Sequence, residues 1–327
     1  MSALVEAEGL SVDYGRRAPV HAVRDVHLAI EENQFVGLVG ESGCGKSTFA
    51  MALARLERPP ARIVGGTLRI AGRDWTHLGP EEIRRSRWRD VAVVLQSGMN
   101  ALNPIMTIGA QFEDVMREHT DMSRAEMRRR AEEMMDMVQI ERTVLSRYPH
   151  ELSGGMKQRA AIALALVLGP RLVIMDEPTT ALDVVVQRQI LENLKALRRE
   201  QAFAMLFVSH DLALILELCD RVVVMYAGEV VEQSRSDVLL ERAYHPYTRA
   251  LIRALPDPES PDAGYAGIAG TPPELRSIPD ACMFAPRCPV RREACLAHAP
   301  PLERLGDVEL RCIVTREEVR DVVGTGA

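Results

Sequence analysis

The stretch Val36-Gly-Leu-Val-Gly40-Glu-Ser-Gly-Cys-Gly45-Lys46-Ser47-Thr48 decides how the rest of the chain is read. Its opening is a short apolar run that stops at a glycine, as a buried strand does. Its end leads into Phe49-Ala-Met-Ala-Leu, a helical start. Between the two lies G-x-x-x-x-G-K-[ST], in the strand-to-helix setting that gives this pattern its meaning. The glycines let successive N–H groups turn toward phosphate oxygens, and the helix N-terminus adds positive potential at the same place. Gly40, Ser42, Gly43, Cys44, Gly45, Lys46, Ser47 and Thr48 are therefore the candidate contacts for a nucleotide. Lys46 is expected to neutralise the β and γ phosphates, and the Ser47 hydroxyl to ligate Mg²⁺.

Four more runs have the same buried-strand look: Asp90-Val-Ala-Val-Val-Leu95, Leu172-Val-Ile-Met175, Ala204-Met-Leu-Phe-Val208 and Arg221-Val-Val-Val-Met225. Helical patterns at residues 184–200 and 212–218 alternate with them, which predicts an α/β core with a largely parallel sheet. The second run continues into Asp176 and Glu177. A strand ending in two carboxylates is weak by itself, but with a phosphate loop upstream it predicts an Mg²⁺ site at Asp176 and a water-activating base at Glu177. Residues 99–160 break the alternation. Ser123-Arg-Ala-Glu126 is a capping box, and Met127, Ala131, Met134, Met135 and Val138 follow at helical spacing, so a helical insertion packed by methionine is expected. Residues 256–279 are rich in proline and glycine and read as a linker to a small C-terminal segment, expected to be separable from the phosphate loop.

The length of 327 residues suggests about two domains, and 47% hydrophobic residues exclude a disordered chain. The formal charge of -6 argues against nucleic acid as a partner. A membrane span needs about 20 consecutive apolar residues, and no run comes near that. The N-terminus lacks a secretion signal, so the reducing cytosol is the expected compartment, where structural disulfides are not expected.

Further along, Leu152-Ser-Gly-Gly-Met156-Lys-Gln-Arg159 precedes the carboxylate strand. Gln96 follows the residue 90–95 strand, Ala181-Leu-Asp183 follows the carboxylates, His210 follows the residue 204–208 strand, and Tyr14 stands in Val12-Asp-Tyr-Gly15. In this order the elements resemble those of the ATP-binding subunits of ABC transporters, over about residues 1–255. The resemblance implies a P-loop NTPase (RecA-like) core, an N-terminal antiparallel β subdomain and a helical signature subdomain at about residues 99–160. It implies that Gln96 contacts Mg²⁺ and belongs, with Glu177 and His210, to the catalytic set. Tyr14 would stack on adenine, and Asp183 would lie in the D-loop. Ser153, Gly154 and Gly155 would press a second helix N-terminus onto a nucleotide held by another subunit, so that ATP closes a dimer and hydrolysis opens it. Two departures stand out: Met156 replaces the usual glutamine of the signature, and Ser97-Gly98 stands where Asp-Pro is common.

Met99-Asn-Ala-Leu-Asn-Pro104, Tyr148-Pro-His-Glu-Leu-Ser153 and His245-Pro-Tyr-Thr-Arg-Ala-Leu251 are similar to stretches of the D-type ATP-binding subunit of dipeptide and oligopeptide importers. That branch implies an F-type ATPase partner, two transmembrane permease subunits, an extracytoplasmic binding protein and a place on the cytoplasmic face of the cell membrane. Relatives import nickel, glutathione or sugars. A non-transport ABC ATPase of repair or translation is the rival, but only about 110 residues separate Lys46 from Ser153, too few for a long coiled-coil insertion. The C-terminal segment carries Cys282, Cys288, Cys295 and Cys312. Four thiolates in so short a stretch suit an iron–sulfur cluster or zinc, and cysteines packed in a small apolar knot are the third possibility. The resemblance associates the segment with a [4Fe-4S] cluster.

Overall fold

The computed structural model describes residues 3–95, 101–178, 184–200, 202–255 and 267–316. The strands are β1 (Val5–Tyr14), β2 (Val20–Ile30), β3 (Phe35–Val39), β4 (Ala61–Ile70), β5 (Arg73–Asp74), β6 (Val91–Val94), β7 (Leu172–Asp176), β8 (Ala204–Val208), β9 (Arg221–Tyr226), β10 (Glu229–Arg235), β11 (Glu303–Leu305) and β12 (Val308–Leu310). The α-helices are α1 (Lys46–Leu53), α2 (Pro80–Ser86), α3 (Ile108–His119), α4 (Arg124–Met137), α5 (Gly154–Leu166), α6 (Val184–Glu200), α7 (Leu212–Leu218), α8 (Ser236–Glu241), α9 (Pro246–Arg253) and α10 (Ala294–Ala297). The chain forms two compact units. One comprises Met1–Val5, Ile30–Gln34 and Arg69–Phe207, the other Glu6–Ala29, Phe35–Leu68 and Val208–Ala327.

The second unit carries the phosphate loop. Every residue of β3 is buried, as an all-apolar strand requires. It pairs in parallel with β9, from Val36 against Arg221 to Val39 against Val224. Beyond β9 the ladder turns antiparallel through β10, β12 and β11. The expectation of a largely parallel sheet therefore holds beside the loop and fails toward the C-terminus. The expectation of a separable C-terminal segment is corrected at the same place. Residues 303–310 form a short hairpin, turned at Gly306 with φ +64°, and β12 sets Leu310 against Glu232 and Glu309 against Gln233. Arg311 then donates its N–H to the Val231 carbonyl at 2.9 Å and its Nε to the Val230 carbonyl at 3.1 Å. Val308, Leu310 and Cys312 pack on Tyr244. Three-residue strands show too little alternation to be visible in a sequence, and their place is set by these tertiary contacts.

The first unit carries the carboxylates. β6 and β7 pair in parallel from Val91 against Leu172 to Val94 against Met175, with β8 next to β7. Leu4 donates to the Ile30 carbonyl at 2.8 Å, and Ala71 to the Leu4 carbonyl at 2.7 Å. Each bond joins the start of one strand to the end of another, so β1 runs antiparallel to β2 and β4, as expected. The helical insertion is present as α3, α4 and α5. The Ser123 hydroxyl accepts the Glu126 N–H at 3.3 Å, and the Glu126 carboxylate accepts the Ser123 N–H at 2.8 Å, closing the predicted capping box. Met127, Ala131, Met134, Met135 and Val138 are buried, so the methionine stripe is core. Among the described residues no helix is long and apolar enough to cross a membrane.

Candidate functional site

Gly40 leaves β3 with φ +152°, and a Cβ there would lie 2.2 Å from the Met225 carbonyl oxygen and 2.7 Å from Cys44 Sγ. Gly45, at φ +106°, would drive a Cβ to 2.2 Å from the Ala22 carbonyl oxygen. Only glycine fits at either end of the loop. Gly45 is also the N-cap of α1, so no side-chain oxygen caps this helix, and its first turn carries no acid. No acidic side chain in that first turn competes with a phosphate. Ser42, Gly43 and Ser47 are exposed there, whereas Cys44 and Lys46 are buried. The Lys46 ammonium donates to the carbonyls of Gly40 at 2.7 Å and Glu41 at 2.9 Å, which places a cation inside the loop. Burial pushes the Cys44 thiol pKa up, more than the nearby Lys46 lowers it. These groups fit a polyphosphate: a glycine-walled loop with a buried lysine and an uncapped helix N-terminus.

In the same unit the Tyr14 and Thr48 hydroxyls lie 3.1 Å apart, which holds the half-exposed Tyr14 ring over the start of α1. Ser209 donates its N–H to the Leu38 carbonyl at 3.2 Å, so the β8-to-α7 turn runs beside the end of β3. His210 is exposed in that turn. Asp211 caps α7, its carboxylate accepting the Leu214 N–H at 3.1 Å.

The other unit holds Asp176, buried at the end of β7, and Glu177 directly after it. Glu177 has φ +47°, a left-handed conformation that costs a non-glycine residue about 1–2 kcal/mol. Strain of that kind persists only where the surroundings impose it, and it concentrates at functional sites. Ser153 is the N-cap of α5, its hydroxyl accepting the Met156 N–H at 3.3 Å. Met156 thus takes part in the cap through its backbone, which its side chain does not affect. Ser153 and Gly154 are exposed and Gly155 half-buried. Gln96 and Asp183 lie outside the described residues.

All six cysteines are free thiols. Cys282, Cys288, Cys295 and Cys312 line one pocket together with His245 and Phe284. Burial pushes Cys282 up to about 11, with the neighbouring Cys312 and Cys295 adding to the rise, and burial raises Cys288 as well. The donor chemistry fits a four-thiolate ligand set. Among the described residues, however, no group of three or more His, Cys, Asp or Glu is placed so that it could hold a metal ion.

Two side chains at this site were missed in the sequence. Arg287 grips Glu41 of the phosphate loop with both terminal nitrogens, at 2.6 and 2.9 Å, and the Glu41 N–H donates to the Tyr247 hydroxyl at 2.8 Å. The motif leaves position 41 open, and no spacing links it to a residue 246 positions away.

Residues 23–180 match the ABC transporter family, and residues 231–295 match the oligopeptide/dipeptide transporter C-terminal region. The dipeptide transport ATP-binding protein DppD of Escherichia coli (strain K12) is 38% identical over 308 residues, covering 93% of this chain and 94% of that protein. The protein named "Probable D,D-dipeptide transport ATP-binding protein DdpD", from the same organism, is 43% identical over 301 residues, covering 91% and 92%. Among solved structures, the dimeric post-hydrolysis state of the ATP-binding cassette MJ0796 bound to ADP and Pi aligns with a TM-score of 0.65 at 28% identity, covering 71% of this chain and 98% of that one.

Proposed function

This chain belongs to the ATP-binding subunits of ABC transporters, ATPases coupled to transport, and from that premise we propose that it powers the import of di- and oligopeptides. The observation that carries the peptide reading is the match of residues 231–295 to the oligopeptide/dipeptide C-terminal region, a segment that lies outside the general ATPase match. Residues 1–255 are proposed as the ATPase proper and 256–327 as linker and extension. Proposed partners are an F-type ATPase subunit, two permeases and, through them, an extracytoplasmic binding protein, on the cytoplasmic face of the membrane.

In the proposed mechanism the loop N–H groups and Lys46 bind the phosphates, and Tyr14 supports the base. Ser47, Asp176 and Gln96 would hold Mg²⁺, which would neutralise phosphate charge when bound. Glu177 accepts a proton from the attacking water, and His210 orients the γ-phosphate. Ser153, Gly154 and Gly155 serve the nucleotide of the partner ATPase, with Asp183 at the seam. Glu177→Gln is the test: it keeps the side chain's shape and removes the base. Turnover in the assembled complex is expected to fall by about 10²-fold or more while ATP binding persists. Hydrolysis at the wild-type rate would remove Glu177 from the mechanism.

The four thiols lining one pocket support the further proposal that they ligate a [4Fe-4S] cluster. Zinc is the alternative metal for the same four thiolates. Anaerobically purified protein is expected to be brown, absorbing near about 400 nm, with roughly four iron and four sulfide per chain. Colourless protein with one zinc, or with no metal, contradicts the cluster.

A further inference from the structure

The C-terminal extension reaches into the nucleotide site through one side chain. Arg287, beside Cys288, has only 4% of its side chain exposed, and Glu41 has 24%. The guanidinium donates to the Ala269 carbonyl at 2.9 Å, the Ile268 carbonyl at 3.0 Å and the Tyr226 hydroxyl at 3.3 Å. Its remaining capacity goes to the Glu41 carboxylate in a two-toothed ion pair, the geometry that fixes orientation as well as distance. Arg287 is thus anchored on the extension's own backbone and holds the loop at arm's length. Its aromatic surroundings are equally fixed: Tyr226, Tyr247 and Phe284 form a cluster of tilted and edge-on rings with centroids 4.7–5.4 Å apart, and Arg287 lies over the Tyr226 ring.

Glu41 is held at three points. Its carboxylate meets Arg287, its N–H meets Tyr247, and its carbonyl accepts from Lys46. The last partner is the lysine assigned to the phosphates. Gly40, Gly43 and Gly45 make this loop intrinsically floppy, and Glu41 is its one charged side chain before Lys46, so it is the handle by which the loop can be set. A loop whose N–H groups are already aimed binds phosphate without first losing that freedom.

We propose that Arg287 is a positioning residue for ATP: by gripping Glu41 it pre-organises the phosphate loop, which makes the C-terminal extension a working part of the nucleotide site. This rests on the reading of residues 40–48 as that site, and it holds whatever the cysteines bind.

The test is MgATP affinity of the full-length chain by calorimetry, with thermal melts beside it, for wild type, Arg287→Ala, Glu41→Ala, the double variant and Arg287→Lys. Each alanine variant is expected to weaken binding about tenfold, as loss of one charge-assisted contact does. The double variant should be no weaker than either single one, because both remove the same link. Arg287→Lys should recover part of the loss. A folded Arg287→Ala that binds within about twofold of wild type overturns the proposal, and so do single losses that multiply in the double variant. If Arg287→Ala does not fold, Glu41→Gln decides, since it keeps the shape but removes the charge and one of the two acceptor oxygens that Arg287 grips: several-fold weaker binding supports the link, and unchanged binding contradicts it. A wild-type chain that binds no MgATP instead brings down the site reading itself.

Discussion

His245 is buried at the start of α9, where Nδ1 accepts the Tyr247 N–H at 3.1 Å and so must be unprotonated. Burial, helped by Arg249, pushes its pKa down from 6.5 to about 3. Between those values the unfolded chain binds a proton that the folded chain does not, so this residue's share of stability falls as pH drops below about 6.5, by up to about 1.4 kcal/mol per pH unit. His245→Asn keeps a cap acceptor and removes the titration. The gap in melting temperature between wild type and variant should shrink from pH 7 to pH 5; a constant gap contradicts the assignment. Glu232, whose carboxylate accepts the N–H groups of Tyr244 and His245, is pushed up by burial and titrates in both proteins, so it cancels in the comparison. At this scale the sequence was legible where chemistry demands fixed local spacing, as for Lys46, Ser47, Asp176 and Glu177. It was illegible for Glu41 and Arg287, which meet only through the fold.

The phosphate loop as an element depends on backbone shape more than on side chains. Gly45→Ala would place a methyl 2.2 Å from the Ala22 carbonyl at a φ of +106°. ATP binding is expected to fall by at least about tenfold, measured by calorimetry on folded protein, and near-normal affinity would show that the cradle tolerates a Cβ. The runs read as strands became β3, β6, β7, β8 and β9, and residues 184–200 and 212–218 became α6 and α7. Each is either long, as α6 is, or dominated by apolar residues, so the pattern survives tertiary context. The hairpin of β11 and β12 did not show. Leu310, 1% exposed, pins that hairpin against Tyr244. Leu310→Ala should cost about 2–4 kcal/mol where the cavity stays open, read by denaturant melts; a change below about 0.5 kcal/mol would mean that the hairpin is not part of the cooperative unit.

On the scale of the molecule, the extension shares a compact unit with the phosphate loop, and a proline-rich linker had concealed this. Cys288 lines the cysteine pocket and is the neighbour of Arg287, so a change in that pocket is expected to reach Glu41 through Arg287. Cys288→Ser is therefore expected to lose any bound metal and also to weaken MgATP binding several-fold; unchanged affinity would separate the two sites. ATP hydrolysis on this chain is proposed to drive peptides across a membrane. The most direct measurement of that coupling is uptake of a labelled dipeptide into vesicles holding this chain, its ATPase partner and both permeases, with the binding protein on the opposite side. Uptake is expected to require MgATP and to disappear in Glu177→Gln, whereas ATP hydrolysis without dipeptide uptake, or uptake undiminished in Glu177→Gln, would contradict that coupling.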